Sequence, residues 1–124
     1  MKFIYWVIGI LVLAVIALVF IGNVNKPGQY DEFAQCLTDA GFKFYGAYWC
    51  PHCIEQKEMF GNSASKLPYV ECSLANRAGQ TQACISAGIT GYPTWGLPSG
   101  KKVEGKLSFQ ELSSLSGCSL NSAG

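Results

Sequence analysis

Two cysteines three residues apart, in Cys50-Pro51-His52-Cys53, are the residues of this chain best suited to chemistry. They follow an aromatic, largely apolar run and open a helical stretch, so the pattern predicts that Cys50 sits at a helix N-terminus. There the unpaired backbone N–H groups and the positive end of the helix dipole favour a thiolate, the nucleophile of disulfide exchange. Cys53 lies about one turn further on and can close a disulfide with Cys50. Pro51 suits the first helical turn and stiffens it. His52, the one histidine of the chain, can bring a second positive charge to the Cys50 sulfur, stabilising the reduced form and making the disulfide a stronger oxidant. In this arrangement Cys50 is the exposed nucleophile, and Cys53 is shielded and acts only on the partner-bound state.

Other chemistries fit the pair less well. A zinc site would need Cys72 and Cys84 as its second half, but structural zinc sites usually present two close pairs, and these two stand twelve apart with no second histidine. Haem attachment requires a histidine directly after the second cysteine, where Ile54 stands. An inert staple is poorly placed at a strand–Cys-x-x-Cys–helix junction. No metal and no cofactor is therefore expected. A second signal, Gly91-Tyr92-Pro93-Thr94, lies some 40 residues on and leads into a strand. By itself it marks only a turn, because most X-Pro bonds are trans.

Four further cysteines remain, and four allow three pairings. Cys72 ends a strand and Cys84 lies in the next helix, a short reach. Cys36 and Cys118 lie near the two ends of the domain. The expected structural disulfides are Cys72–Cys84 and Cys36–Cys118.

The elements that must position these residues follow from periodicity and punctuation. Phe33, Ala34, Leu37 and Ala40 fall at helical spacing, and Gly41 closes that helix, expected over Tyr30–Ala40. Phe42–Trp49 reads as a buried strand, Cys50–Phe60 as a helix ended by Gly61, Tyr69–Leu74 as a strand and Gln80–Ala87 as a short helix stopped by Gly88. Thr94–Leu97 and Lys102–Gly105 form a hairpin around Pro98-Ser99-Gly100. Ser108 and Glu111 make a capping box that opens a last helix running to about Ser116. The order α-β-α-β-α-β-β-α, with a crossover between the first two strands and a hairpin between the last two, predicts an α/β fold. It is a mixed four-stranded sheet flanked by helices.

Ahead of this domain, Phe3–Ile21 carries no charged residue. A helix of that length reaches roughly 28 Å, close to the ~30 Å hydrocarbon core of a bilayer. The run is longer than the apolar core of a signal peptide, and its exit, Val19-Phe20-Ile21-Gly22-Asn23, lacks a small-x-small cleavage site. The expected organisation is a transmembrane anchor over 1–22, a linker over 23–29 and one domain over 30–124. Tyr5 and Trp6 read as interfacial or lipid-facing aromatics. Lysines flank the span on both sides and do not settle its orientation. All six cysteines follow the span, and such density in a small domain marks an oxidising compartment, so the domain is expected outside the cytoplasm, in a periplasm, in a lumen or at a cell surface. The domain carries seven Lys/Arg against eight Asp/Glu, which gives no sign of a nucleic-acid partner.

Trp49-Cys50-Pro51-His52-Cys53 together with Gly91-Tyr92-Pro93-Thr94 resembles the thioredoxin superfamily, in which a cis-proline loop faces the redox pair. The resemblance implies a thioredoxin-like fold, thiol–disulfide exchange at Cys50 and Cys53, and pairing of substrate backbone with Tyr92 and Pro93. It also places Trp49 on the substrate face. Cys-Pro-His-Cys is similar to the redox motif of the periplasmic oxidant DsbA. A longer likeness covers about Phe33 to Cys118. Phe44-Tyr45-Gly46-Ala47-Tyr48-Trp49-Cys50-Pro51-His52-Cys53, Leu67-Pro68-Tyr69-Val70-Glu71-Cys72-Ser73 and Ala87-Gly88-Ile89-Thr90-Gly91-Tyr92-Pro93-Thr94-Trp95 resemble the thioredoxin-like domain fused to bacterial vitamin K epoxide reductase homologues. That likeness implies oxidation of exported proteins and reoxidation by a separate quinone-linked membrane enzyme of the vitamin K epoxide reductase or DsbB kind. A reductase or isomerase fed by a membrane reductant is the alternative, and a membrane-tethered metal-binding module a more distant one. One departure bears on mechanism. Cytosolic thioredoxins carry a buried Asp six residues before the first cysteine, which helps deprotonate the second, and Phe44 stands there. The base that serves Cys53 is left open, with Glu55 and Glu58 weak candidates. Tyr48 and Trp95 fit a peptide-binding face or the core equally well.

Overall fold

The computed structural model describes residues 1–24 and 27–120; Asn25 and Lys26 of the expected linker, and residues 121–124 of the expected domain, lie outside them. The first helix, α1 (Lys2–Val24), is apolar on every side from Phe3 to Ile21, and the large side chains of that stretch are exposed. It is long and apolar enough to cross a membrane, a property that a signal sequence near an N-terminus shares.

The remaining elements are α2 (Asp31–Asp39), β1 (Lys43–Gly46), α3 (Pro51–Met59), β2 (Tyr69–Glu71), α4 (Gln82–Ser86), β3 (Thr94–Gly96), β4 (Lys102–Glu104) and α5 (Phe109–Ser116). Asp31 and Glu32 suit the positive end of α2, and Gly41, at φ +87°, turns the chain out of it. α5 begins with the reciprocal capping box: Ser108 Oγ accepts from the Glu111 N–H, and the Glu111 carboxylate accepts from the Ser108 N–H.

The sheet has the order β2-β1-β3-β4. β1 runs parallel to β2 and antiparallel to β3, which runs antiparallel to β4. This is the mixed four-stranded α/β architecture expected of a thioredoxin-like domain. Register places Tyr69, Phe44, Trp95 and Val103 in one row across one face. Phe44 stacks on Trp95 at 4.8 Å and meets the edge of Tyr69 at 5.1 Å. Phe33 and Leu37 of α2, Cys53 of α3 and Leu112 of α5 complete that core, with Phe60 just after α3. Full burial of each large apolar side chain contributes about 1.5–3 kcal/mol, so this layer supplies much of the drive to fold. The other face, carrying Tyr45 and Val70, packs against a smaller cluster of Cys72, Cys84 and Ile89. Disulfides join Cys36 to Cys118 and Cys72 to Cys84.

Most elements are one or two residues shorter than the sequence pattern indicates, and three, β1, β2 and α4, are shorter by three or more. β1 stops at Gly46, because Ala47–Trp49 turn back and the Cys50 N–H bonds the Ala47 carbonyl at 3.0 Å. β2 stops at Glu71: the Cys72 N–H makes the last bond to β1, to the Gly46 carbonyl at 2.8 Å, and is shared with the Glu71 carboxylate at 3.0 Å, which also accepts from the Ser73 N–H at 3.2 Å. Thr81 is the N-cap of α4, so Gln80 lies outside it and pairs with Ser73 across an isolated bridge. Gly61–Lys66 and Ala75–Arg77 form 3₁₀ turns that the apolar periodicity does not signal.

Candidate active site

The turn after β1 delivers Cys50 to the N-cap of α3 with extended backbone, and Pro51 begins the helix. The missing proline N–H would have had no helical partner there, so the residue fits without loss. Cys53 follows one turn in, on the face that meets the sheet. Both thiols are free. Cys50 is more buried than the sequence pattern implies, at 7% exposed against 1% for Cys53. The Cys50 sulfur lies 3.7 Å from the Tyr92 carbonyl, to which its S–H donates. The Tyr92–Pro93 peptide bond is cis. Three expected residues, Cys50, Tyr92 and Pro93, therefore meet at one point although some 40 positions separate them in sequence.

Trp49 borders this point. Its indole N–H donates to Ser73 Oγ at 2.8 Å, its ring meets Tyr92 edge-on at 6.0 Å, and the Arg77 guanidinium lies 4.7 Å over it. Asn76 and Arg77 both adopt φ of 56°, the left-handed region, in the turn that presents Arg77. Tyr92 is held in turn by Gln80, whose side-chain amide donates to the Tyr92 hydroxyl at 3.0 Å and to the Ile89 carbonyl at 2.8 Å. Thr81 Oγ1 donates to the Glu71 carbonyl at 2.9 Å. The Cys72–Cys84 disulfide thus belongs to the frame that carries Tyr92.

His52 does not hydrogen-bond Cys50. Its ring is exposed, with Nδ1 3.4 Å from the Glu55 carboxylate, which Lys106 also contacts at 3.1 Å. Lys106 first and His52 second hold the Glu55 carboxyl below its usual range. A carboxylate so engaged is a poor base. Glu58 is exposed, and no hydrogen bond or ion pair joins it or Glu55 to Cys53. Burial pushes the Cys53 thiol up to about 12; the Ala47 backbone hydrogen bond opposes that rise, the neighbouring Cys50 adds to it, and Lys57 opposes it. Cys53 is accordingly a neutral thiol at rest.

Two residues that shape this site are not among those the sequence pattern singles out. Gly46 is one: a Cβ there would lie 2.9 Å from the Tyr69 ring and 3.0 Å from the Cys53 sulfur. Gln56 is another, fully buried where the spacing Cys53, Gln56, Phe60 calls for an apolar residue. Its side-chain oxygen accepts from Trp95 Nε1 at 3.1 Å and the Leu107 N–H at 2.8 Å, tying α3 to β3. That break in the apolar face was the available clue. Trp95 is fully buried and belongs to the core, while Tyr48 is about half exposed. Cys72 and Cys84 are bonded to each other and cannot serve as metal ligands. Among the described residues no three His, Cys, Asp or Glu side chains gather as a metal cluster.

No family model matches the chain. It is 45% identical over 94 residues to the thiol-disulfide oxidoreductase LTO1 of Arabidopsis thaliana, an alignment that covers 73% of this chain and 25% of that protein. The chain thus spans about a quarter of the length of the curated relative it matches, and what it is similar to is part of a thiol–disulfide oxidoreductase.

Proposed function

We propose that this chain is a membrane-anchored thiol–disulfide oxidoreductase that works through Cys50 and Cys53. The observation that carries the reading is the junction of the Cys50 sulfur, at the N-cap of α3, with the carbonyl that precedes cis-Pro93. A substrate sulfur bonded to Cys50 would lie beside the backbone of Tyr92 and Pro93, which can orient it, and beside Trp49. A substrate thiolate attacks Cys50 of the Cys50–Cys53 disulfide, forming a mixed disulfide and releasing Cys53. A second substrate thiolate then releases the oxidised product. The identity with LTO1 supports the same activity.

Within that activity we favour oxidation of exported proteins that carry thiols, with reoxidation by an integral-membrane, quinone-linked partner of the vitamin K epoxide reductase or DsbB kind. Support comes from Phe44, which puts an aromatic side chain where a fast general reductase keeps a buried acid, and from the likeness of Cys50-Pro51-His52-Cys53 to the DsbA redox motif. Residues 1–22, which hold most of α1, serve as a retained single-pass anchor, with 23–29 as linker and 30–124 as the exported domain. The six cysteines after it support placement outside the cytoplasm.

Equilibration of the full chain with glutathione buffers tests this reading. A potential near −120 mV is expected for an oxidant, and one near −270 mV would assign the chain to the reductase or isomerase class. A Cys50–Cys53 pair that does not exchange with glutathione at all would overturn the activity itself.

A further inference from the structure

Cys53 must become an anion in either direction of exchange, yet it is buried against an aromatic layer with no carboxylate bonded to it. The charge that compensates is on the same helix. Lys57 stands four residues after Cys53 on α3, and helical side chains lean toward the N-terminus, so its stem runs back toward the Cys53 turn. Its ammonium sits 3.5 Å over the centre of the Tyr69 ring. The edge of that ring and the Cys53 sulfur converge on Gly46, within 2.9 and 3.0 Å of the place a Cβ would occupy. Only a glycine lets the three approach in this way.

Two features keep the Lys57 charge available. No carboxylate lies within ion-pair distance of it among the described residues, the ion pairs found there being His52–Glu55 and Lys106–Glu55. A cation held on an aromatic face also keeps its full charge, whereas one paired with a carboxylate has its field largely cancelled. The other ionisable groups around Cys53 offer no such help. Cys50 is the second redox thiol. The Tyr69 hydroxyl is buried without a hydrogen-bond partner among the described residues, and burial first, then Glu71, keeps it protonated. The Glu71 carboxylate is committed to the Cys72 and Ser73 N–H groups.

Building on the oxidoreductase reading, we propose that Lys57, seated on Tyr69, is the cation that stabilises the Cys53 thiolate as it leaves or attacks Cys50. When a substrate thiolate attacks the Cys50 sulfur, the substrate–Cys50 bond forms, the Cys50–Cys53 bond breaks and the electron pair departs on Cys53 beside the ammonium. A solvent proton then neutralises it. In reverse, Cys53 loses that proton to solvent, attacks Cys50 and expels the substrate thiolate. Lys57 therefore replaces, by charge, the buried acid that Phe44 displaces.

The test compares the wild-type full chain in detergent micelles with Lys57→Met and Lys57→Arg. The rate at which the Cys50–Cys53 disulfide reacts with glutathione at pH 7 is followed by acid quenching and alkylation, alongside the equilibrium constant. In this reaction Cys53 is the leaving group, and a Cys53 thiolate made tenfold less stable leaves more slowly, which gives a roughly threefold slowing in Lys57→Met. Lys57→Arg should stay within about twofold of wild type, since it keeps the charge on the ring. The equilibrium constant should not move in either variant, because the reduced protein at pH 7 holds Cys53 as a neutral thiol. Lys57→Met reacting at the wild-type rate, or both variants slowed alike, would overturn the role of the charge. Failure of the wild-type chain to react is a separate result, seen without any variant, and removes the oxidoreductase reading beneath it.

Discussion

The two disulfides of this chain close loops of different length and sit in different surroundings. Cys36–Cys118 joins residues 82 apart and ties α2 to the segment after α5, on the large core of the sheet's α2–α3–α5 face. Cys72–Cys84 joins residues 12 apart on the opposite face, in the small cluster that packs against Tyr92. A long loop restrains the unfolded chain more, whereas a short one restrains mainly its immediate neighbours. The first therefore serves the stability of the whole domain. The second serves the geometry at Cys50.

Removing Cys36–Cys118 by Cys36→Ala with Cys118→Ala should produce the largest loss of stability, about 4–5 kcal/mol as an upper value in the chain-entropy model. Urea unfolding measures it, and the folded fraction should keep its rate of exchange at Cys50. Cys72→Ala with Cys84→Ala should lose less, about 3 kcal/mol. Its folded fraction should nevertheless react with a model thiol roughly tenfold to a hundredfold more slowly, because the Tyr92 carbonyl is no longer held against the Cys50 sulfur. If the first pair governs exchange and the second only stability, the division of labour is reversed.

A smaller effect depends on pH and separates both structural disulfides from the redox pair. The Cys53 thiol is pushed from 9.0 to about 12 in the folded, reduced protein, so above pH 9 the unfolded chain ionises while the folded chain does not. The unfolded state then binds fewer protons, and stability falls as pH rises from about 9 toward 12. Below 9 this contribution is fully present. The oxidised protein has no Cys53 thiol and should lack that share of the decline. Urea midpoints for the two redox states, compared from pH 8 to pH 11, should diverge; parallel curves would mean that Cys53 is not held neutral by its surroundings.

How much of this was legible in the sequence differs between the two faces. The redox helix, the hairpin and the capping box at Ser108 and Glu111 rest on short-range signals, and they stand close to where the pattern puts them. The strand ends do not. An aromatic run such as Phe42–Trp49 has the same composition whether it pairs or turns, and the Ala47 turn that ends β1 serves the Cys50 junction. Gly46, Tyr69 and Lys57 carry no common sequence signal, because they meet only through the parallel pairing of β1 with β2 and the packing of α3 across it. His52 shows the converse. Its neighbours in sequence direct attention to Cys50, but helical geometry places Glu55 one turn away, and the ring turns there.

The central claim is that Cys50 is the attacked and attacking sulfur and that Cys53 acts only on the mixed disulfide. Trapping tests it most directly. Full-length Cys53→Ala and Cys50→Ala chains are expressed in cells, thiols are quenched with acid, and covalent complexes are resolved without reductant. Cys53→Ala should accumulate complexes linked through Cys50, with substrates and with a membrane partner, and Cys50→Ala should accumulate few. More complexes on Cys50→Ala than on Cys53→Ala would contradict the assignment of the nucleophile and the geometry at Tyr92 on which it rests.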